Sequence, residues 1–274
     1  MEFITVKLLL IFLFILLIHT IETLAYAVRL SGARVKLIAS ALSLFNSIVI
    51  ISRMSNMIQQ PFTGNLVDTA PEENLLWFIE NQYRILIGAS TVGTMIGAIL
   101  LPTFVAIFSR AIILLVEEKG SIPALVKKAF IPYYIKRAFS LFRWPSLSFF
   151  KGIKRHHIPM RLFVINMIVT AVYTIGVLSA LYAAVIAPEY QMTAVMASGL
   201  INGVATILLS TLIDPKLSVL ADSVTNGKGK YTYLKVASVT MVTSRLMGTI
   251  VAQLLFIPGA YYIAWASKFL GMMK

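Results

Sequence analysis

Ala237-Ser-Val-Thr-Met-Val-Thr-Ser-Arg245-Leu-Met-Gly-Thr-Ile-Val-Ala-Gln-Leu-Leu-Phe-Ile257 is an apolar run broken by a single charge. Coiled as an α-helix it rises about 31 Å, close to the thickness of a bilayer's hydrocarbon core. Its charge is a guanidinium near the middle. A cation at that depth costs a few kcal/mol or more in lipid, so it faces a wet cavity or a partner. Two further Ser-Arg pairs, Ser52-Arg53 and Ser109-Arg110, lie inside other apolar runs. Three cations with few buried acids suggest a cavity built to hold an anion.

The remainder of the chain has the same character. Its 274 residues are 58% hydrophobic and only 13% charged, against about 25% charge in a soluble domain. The deficit is spread along the whole length, which predicts a single membrane domain over residues 1–274. Six spans of mostly apolar residues are expected, at about 4–28, 37–59, 83–116, 160–187, 193–213 and 234–267. The fold class is therefore an all-α polytopic membrane protein. The third and sixth spans contain Pro102 and Pro258 and are expected to be kinked, tilted or broken there. Cysteine is absent, which excludes disulfides and thiolate chemistry.

The loops between spans alternate in sign. Residues 29–36 hold Arg29, Arg34 and Lys36, whereas 61–82 hold Asp68, Glu72, Glu73 and Glu80. Residues 117–158 and 214–233 are again basic on balance. The positive-inside rule then places the basic loops in the cytoplasm and both termini outside. A signal peptide is the rival reading of the N-terminus, with Ala25-Tyr26-Ala27 as its cleavage site. A single basic residue, Lys7, and the interruption by His19 and Glu22 oppose it. The net charge of +13 lies mostly in loops, so anionic lipid explains it better than nucleic acid does.

The stretch 119–158 is too polar to span. Its cations, among them Lys127, Lys128, Lys136 and Arg137, interleave with Phe130, Tyr133, Tyr134 and Phe139. Pro123, Pro132, Pro145 and Pro159 cut it into short pieces. Amphipathic helices lying in the cytoplasmic interface, in contact with anionic lipid, are expected. Gly93-x-x-x-Gly97 and Gly199-x-x-x-Gly203 have the spacing that lets helix backbones touch. The recurrence of Ser-Arg in spans two, three and six hints at an internal repeat.

His19 and Glu22 share a face of the first span. Glu22 either neutralises a neighbouring arginine or takes up a proton during transport, and His19 shares the second role. The pair is not joined by a further set at metal-ligand spacing, so no metal or cofactor is expected. In the second span Asn46, Arg53 and Asn56 fall near one face, and Gln59 follows. Arg110 can alternatively reach the interface, seven residues from Glu117. Arg245 has ion pairing with Glu22 or Asp214 as its rival role. Asp214 and Asp222 sit at the end of the fifth span, without the glycine-aspartate signature of intramembrane proteases.

His19-Thr-Ile-Glu22-Thr-Leu-Ala-Tyr26-Ala-Val-Arg29-Leu-Ser-Gly32, then Ser43-Leu-Phe-Asn46, Ser52-Arg53, Asn56-Met-Ile-Gln59 and Leu66-Val-Asp68 resemble the Amj (alternate to MurJ) family of lipid II flippases, as does Asp214-Pro215-Lys216 with Asp222. The resemblance implies a bacterial plasma-membrane protein that moves an undecaprenyl-pyrophosphate-linked cell-wall precursor between leaflets. On the physical reading, Arg53, Arg110 and Arg245 meet the pyrophosphate. Asn46, Asn56 and Gln59 line a polar cavity, and Glu22, His19, Asp214 and Asp222 supply counter-charge or coupling. Two alternatives remain: an enzyme acting on a lipid phosphate, and an ion- or proton-coupled transporter of another anion.

Overall fold

Thr5 starts the first helix by accepting a hydrogen bond from the Leu8 amide at 3.2 Å. This helix, α1 (Val6–Val35), stops at Lys36, whose φ of 60° is left-handed. The computed structural model describes residues 4–143 and 160–272. All its regular elements there are helical: α2 (Ile38–Asp68), α3 (Leu75–Glu117), α4 (Ile122–Ala129), α5 (Pro132–Phe139), α6 (Met160–Ile186), α7 (Gln191–Leu208), α8 (Asp214–Thr225) and α9 (Tyr231–Met272). Among the described residues, six segments are long and apolar enough to cross a bilayer: α1, α2, α3, α6, the run from Pro188 to Thr225, and α9. The protein is an all-α polytopic membrane protein.

The edges differ from expectation in instructive ways. α1 runs through 29–35, so Arg29 lies inside a helix and not in a loop. Residues 214–225, expected as loop, are helical, and Pro215 lies just past a π-helical turn at Leu209–Ile213 within one continuous helical run. Neither α3 nor α9 breaks at its proline, and α2 also continues through Pro61. Neighbouring helices and hydroxyl side chains commonly satisfy the carbonyl that a membrane proline frees. With 43 residues, α3 rises about 65 Å, far more than a bilayer core, so its ends extend past the hydrocarbon or the helix tilts.

Two three-helix units pack in the same manner. In the first, α3 lies closely along α1 with α2 outside. In the second, α9 lies closely along α6 with α7 outside. The close pairs are made by glycines. A Cβ on Gly97 would meet Thr23 Cβ at 2.7 Å and the Thr20 carbonyl at 3.0 Å. One on Gly248 would meet Thr170 Cβ at 2.8 Å and the Met167 carbonyl at 2.6 Å. The two contacts share a pattern, a glycine set between a carbonyl and the threonine three residues later. Among the described residues, each unit offers three candidate crossings of a bilayer. The core forms where the close pairs meet, around Tyr83 of α3 and Phe256 of α9, whose rings lie edge-on at 6.1 Å. α2 and α7 keep much of their surface exposed.

Only one of the two glycine pairs is used in this way. Gly93 abuts the Leu16 backbone, but a Cβ on Gly199 or Gly203 meets nothing within 4 Å. Gly93→Ala is therefore expected to cost about 1–3 kcal/mol, because the obstacle is backbone and cannot rotate away. Gly199→Ala and Gly203→Ala should stay within about 0.5 kcal/mol of the wild type. Thermal unfolding of the purified protein in detergent would separate them; equal losses at all three would discredit the packing described.

α4 and α5 form a strap along α3. Ser121 caps α4, accepting from the Ala124 amide at 3.3 Å. Lys128 is ion-paired to Glu118, and this hydrogen bond raises the Lys128 pKa. At the far end Thr103 Oγ1 accepts from the Arg143 amide and donates to its carbonyl, both at 2.9 Å. α5 has no buried residue, as suits an interfacial helix. The remainder of the expected interfacial segment, 144–158, lies outside the described residues.

Candidate functional site

Asn166 of α6 organises the junction between the units. It is fully buried, and its amide donates to the Met241 carbonyl at 3.0 Å and the Ser244 hydroxyl at 2.6 Å. Its oxygen faces the Tyr26 hydroxyl at 3.4 Å. This fixes α9 against α6 and α1 one residue before Arg245. Arg245 is 5% exposed and ion-paired to Glu22 of α1. Glu22 also accepts from Ser52 Oγ at 2.8 Å and from the Tyr173 hydroxyl at 3.4 Å. Arg245 Nη2 lies 3.4 Å from His19 Nδ1, while its Nε is buried without a partner. A buried guanidinium with an idle donor has capacity for another acceptor.

A second pair lies nearby. Arg29, 2% exposed, donates from Nη2 to Asp214 at 2.8 Å and stands over the Phe45 ring at 3.9 Å. Its Nε and Nη1 have no partner. Asp214 is about one-third exposed, at 33%. A cavity of about 60 Å³ lies at the junction of the two units, lined among others by Glu22, Arg53, Tyr173, Asp214 and Arg245. Arg53 is exposed there, and no described residue hydrogen-bonds or ion-pairs with it. A smaller cavity of about 30 Å³ takes up the polar lining beyond Tyr173, with His19, Asn56 and Gln59 in its wall. Asn56 donates to the Tyr173 hydroxyl at 3.2 Å, and Gln59 donates to Thr63. From Phe45 to Gln59 along α2 the two cavities follow a rise of about 21 Å.

The structure thus brings together Arg53, Arg245, Glu22 and Asp214 in one cavity, with His19, Asn56 and Gln59 in the next. Three expected residues stand elsewhere. Arg110 is on another face of α3, one position and so about 100° round from the buried Ser109, and it faces an apolar groove. Asn46 is exposed and lines none of these cavities. Asp222 is exposed and accepts from Asn226 at 3.1 Å. His19, Asp214 and Asp222 do not converge, so they offer no common centre for chemistry on a phosphate. Sequence reasoning passed over Arg29, Ser52, Asn166 and Tyr173. Arg29 had one available signal, since the apolar helical pattern continues past it to Leu30.

Electrostatically the junction holds three guanidiniums, Arg29, Arg53 and Arg245, against two carboxylates, Glu22 and Asp214. The excess is cationic, and each carboxylate takes one Nη2 of a guanidinium whose remaining donors also suit a phosphate oxygen. A cavity of about 60 Å³ holds water and not a drug-sized headgroup, which needs about 300 Å³ or more. In this conformation the junction is closed.

The family model described as Amj, alternate to MurJ, matches residues 14–267. A protein of Bacillus subtilis (strain 168), the lipid II flippase Amj, is 62% identical over 268 residues, which is 98% of this chain and 99% of that protein. No solved structure matches the chain.

Proposed function

The chain belongs to the Amj family, and from that membership we propose that it moves lipid II, or a related undecaprenyl-pyrophosphate-linked peptidoglycan precursor, from the inner to the outer leaflet of a bacterial plasma membrane. It is a transporter and carries out no covalent step. The single observation that supports the site is the cationic junction between the two three-helix units. The basic ends around Arg34 and Lys36, Lys127 and Lys128, and Lys228 and Lys230 face the cytoplasm, and both termini face outward.

The mechanism is an exchange of acceptors. In the closed state Glu22 and Asp214 stand in for the substrate on Arg245 and Arg29. When the junction opens, the diphosphate takes over the guanidinium forks, and the displaced carboxylates are left to water. The hydrophilic headgroup follows the polar lining past Tyr173 toward Asn56 and Gln59. The polyprenyl tail stays in lipid throughout. Closing restores the ion pairs and expels the diphosphate, so neither state binds it irreversibly.

The test is leaflet exchange in vesicles holding the purified protein and a fluorescent lipid II, read by a membrane-impermeant quencher. The wild type should expose labelled lipid that protein-free vesicles keep shielded, and should leave a fluorescent phosphatidylethanolamine where it was. No exchange of lipid II, or equal exchange of both, overturns the proposal. Arg53→Gln offers a clean variant, since no described residue hydrogen-bonds or ion-pairs with Arg53 in the closed fold. Its stability should stay within about 0.5 kcal/mol of wild type, while exchange falls about tenfold for the loss of one charged contact.

A further inference from the structure

A large hollow lies away from the polar cavities. It is a groove of about 550 Å³ between α2, α3 and the α4–α5 strap. Its walls are almost wholly apolar, with Leu44 and Ile48 on α2, Phe104 and Leu114 on α3, and Phe139 at the end of α5. The strap is tied to α3 at the end of α4, by Lys128–Glu118, and just past α5, by Thr103–Arg143. Two guanidiniums border it. Arg110 has a buried Nη1 with no partner among the described residues, and Arg137 is exposed and bonded to the Tyr133 hydroxyl at 2.9 Å.

The place of the groove is its most informative property. Leu44 and Ile48 face it, while their neighbours Phe45 and Val49 line the polar cavity. One helix, α2, separates a greasy slot from a cationic cavity at the same level. A molecule with a long apolar tail and an anionic head fits across that wall.

We propose that this groove seats the isoprenoid tail of the precursor next to its diphosphate, with Arg110 and Arg137 holding the diphosphate before it passes α2. This rests on the flippase reading and adds a loading site to it. It also gives Arg110 a function outside the cavity where the sequence pattern placed it. An ordinary anionic phospholipid shares the chemistry of an acyl chain and a phosphate. The diphosphate is favoured because two separate guanidiniums, one with a buried idle donor, match two phosphate groups better than one.

The experiment uses the full-length protein in nanodiscs of phosphatidylethanolamine and phosphatidylglycerol. The probe is undecaprenyl diphosphate with a photoreactive diazirine in the isoprene units nearest the diphosphate. Cross-links should map to peptides covering 100–114 and 125–139, and unlabelled undecaprenyl diphosphate should remove them. Extra phosphatidylglycerol should not. Ala111→Trp, which fills the groove, should lower labelling about tenfold. Arg110→Gln, a milder change, should weaken competition by undecaprenyl diphosphate about tenfold and leave that of uncharged undecaprenol unchanged. Labels confined to other lipid-facing helices overturn the proposal, and so does equal competition by phosphatidylglycerol. Leaflet exchange measured on the same preparation separates the two levels. Exchange without groove labelling rejects the groove alone, and a wild type with no exchange rejects the flippase reading.

Discussion

Arg245→Gln is expected to abolish leaflet exchange and also to destabilise the fold by about 3–5 kcal/mol. The second effect follows from burial. Removing the cation leaves Glu22 inside the bundle with only Ser52 and Tyr173 to bond it, and an uncompensated buried charge costs that much. A loss of exchange in this variant alone would therefore say little about substrate. The double variant Glu22→Gln/Arg245→Gln removes both charges at similar volume. Replacing both members of a buried pair is often nearly neutral, so stability should return to within about 1 kcal/mol of wild type. Exchange should not return, and should remain about a hundredfold down or lower. Denaturation in detergent and the vesicle assay, run on the two variants beside the wild type, read both quantities. Recovery of exchange along with stability would reduce Arg245 to a structural tie.

The second large effect is an asymmetry in the Arg29–Asp214 pair. Asp214→Asn should cost about 3 kcal/mol or more, and Arg29→Gln clearly less. Arg29 is 3% exposed on its side chain and Asp214 is 33% exposed. Without Asp214, Arg29 is a buried cation that keeps only the Phe45 face, with Nε and Nη1 already idle. Without Arg29, the carboxylate turns to water at modest cost. The same denaturation measurement settles the order. A larger loss for Arg29→Gln would mean that Asp214, and not Arg29, is the desolvated partner.

The spans were legible because the bilayer imposes one rule along the whole chain: about 20 apolar residues per crossing. Arg245 was legible for the same reason, since a lone cation in mid-span has few explanations. Arg29 was not. Beside Arg34 and Lys36 it reads as a loop charge, and its helix is held in place by events far away in sequence. The Ser31 hydroxyl donates to the Ala27 carbonyl and lies 2.9 Å from the Val105 carbonyl of α3, and Asp214 is 185 positions from Arg29. No local pattern announces such a partner. Arg110 was obscure for a different reason. The direction it faces depends on which side of α3 meets α1, and Gly93 and Gly97 decide that only once α1 is packed there. Asn46 shares this history on α2. The dipeptide Ser-Arg suggested a repeat, whereas the two units resemble one another through Gly97 and Gly248.

The most direct test of the exchange of acceptors is the affinity of the Glu22→Gln protein for undecaprenyl diphosphate, measured by titration in nanodiscs beside the wild type. If Glu22 holds the place of the diphosphate on Arg245, removing its charge must tighten binding, by about tenfold or more for one lost competing ion pair, while leaflet exchange slows because release has lost its driving force. A folded Glu22→Gln protein whose affinity is unchanged or weaker would contradict the account.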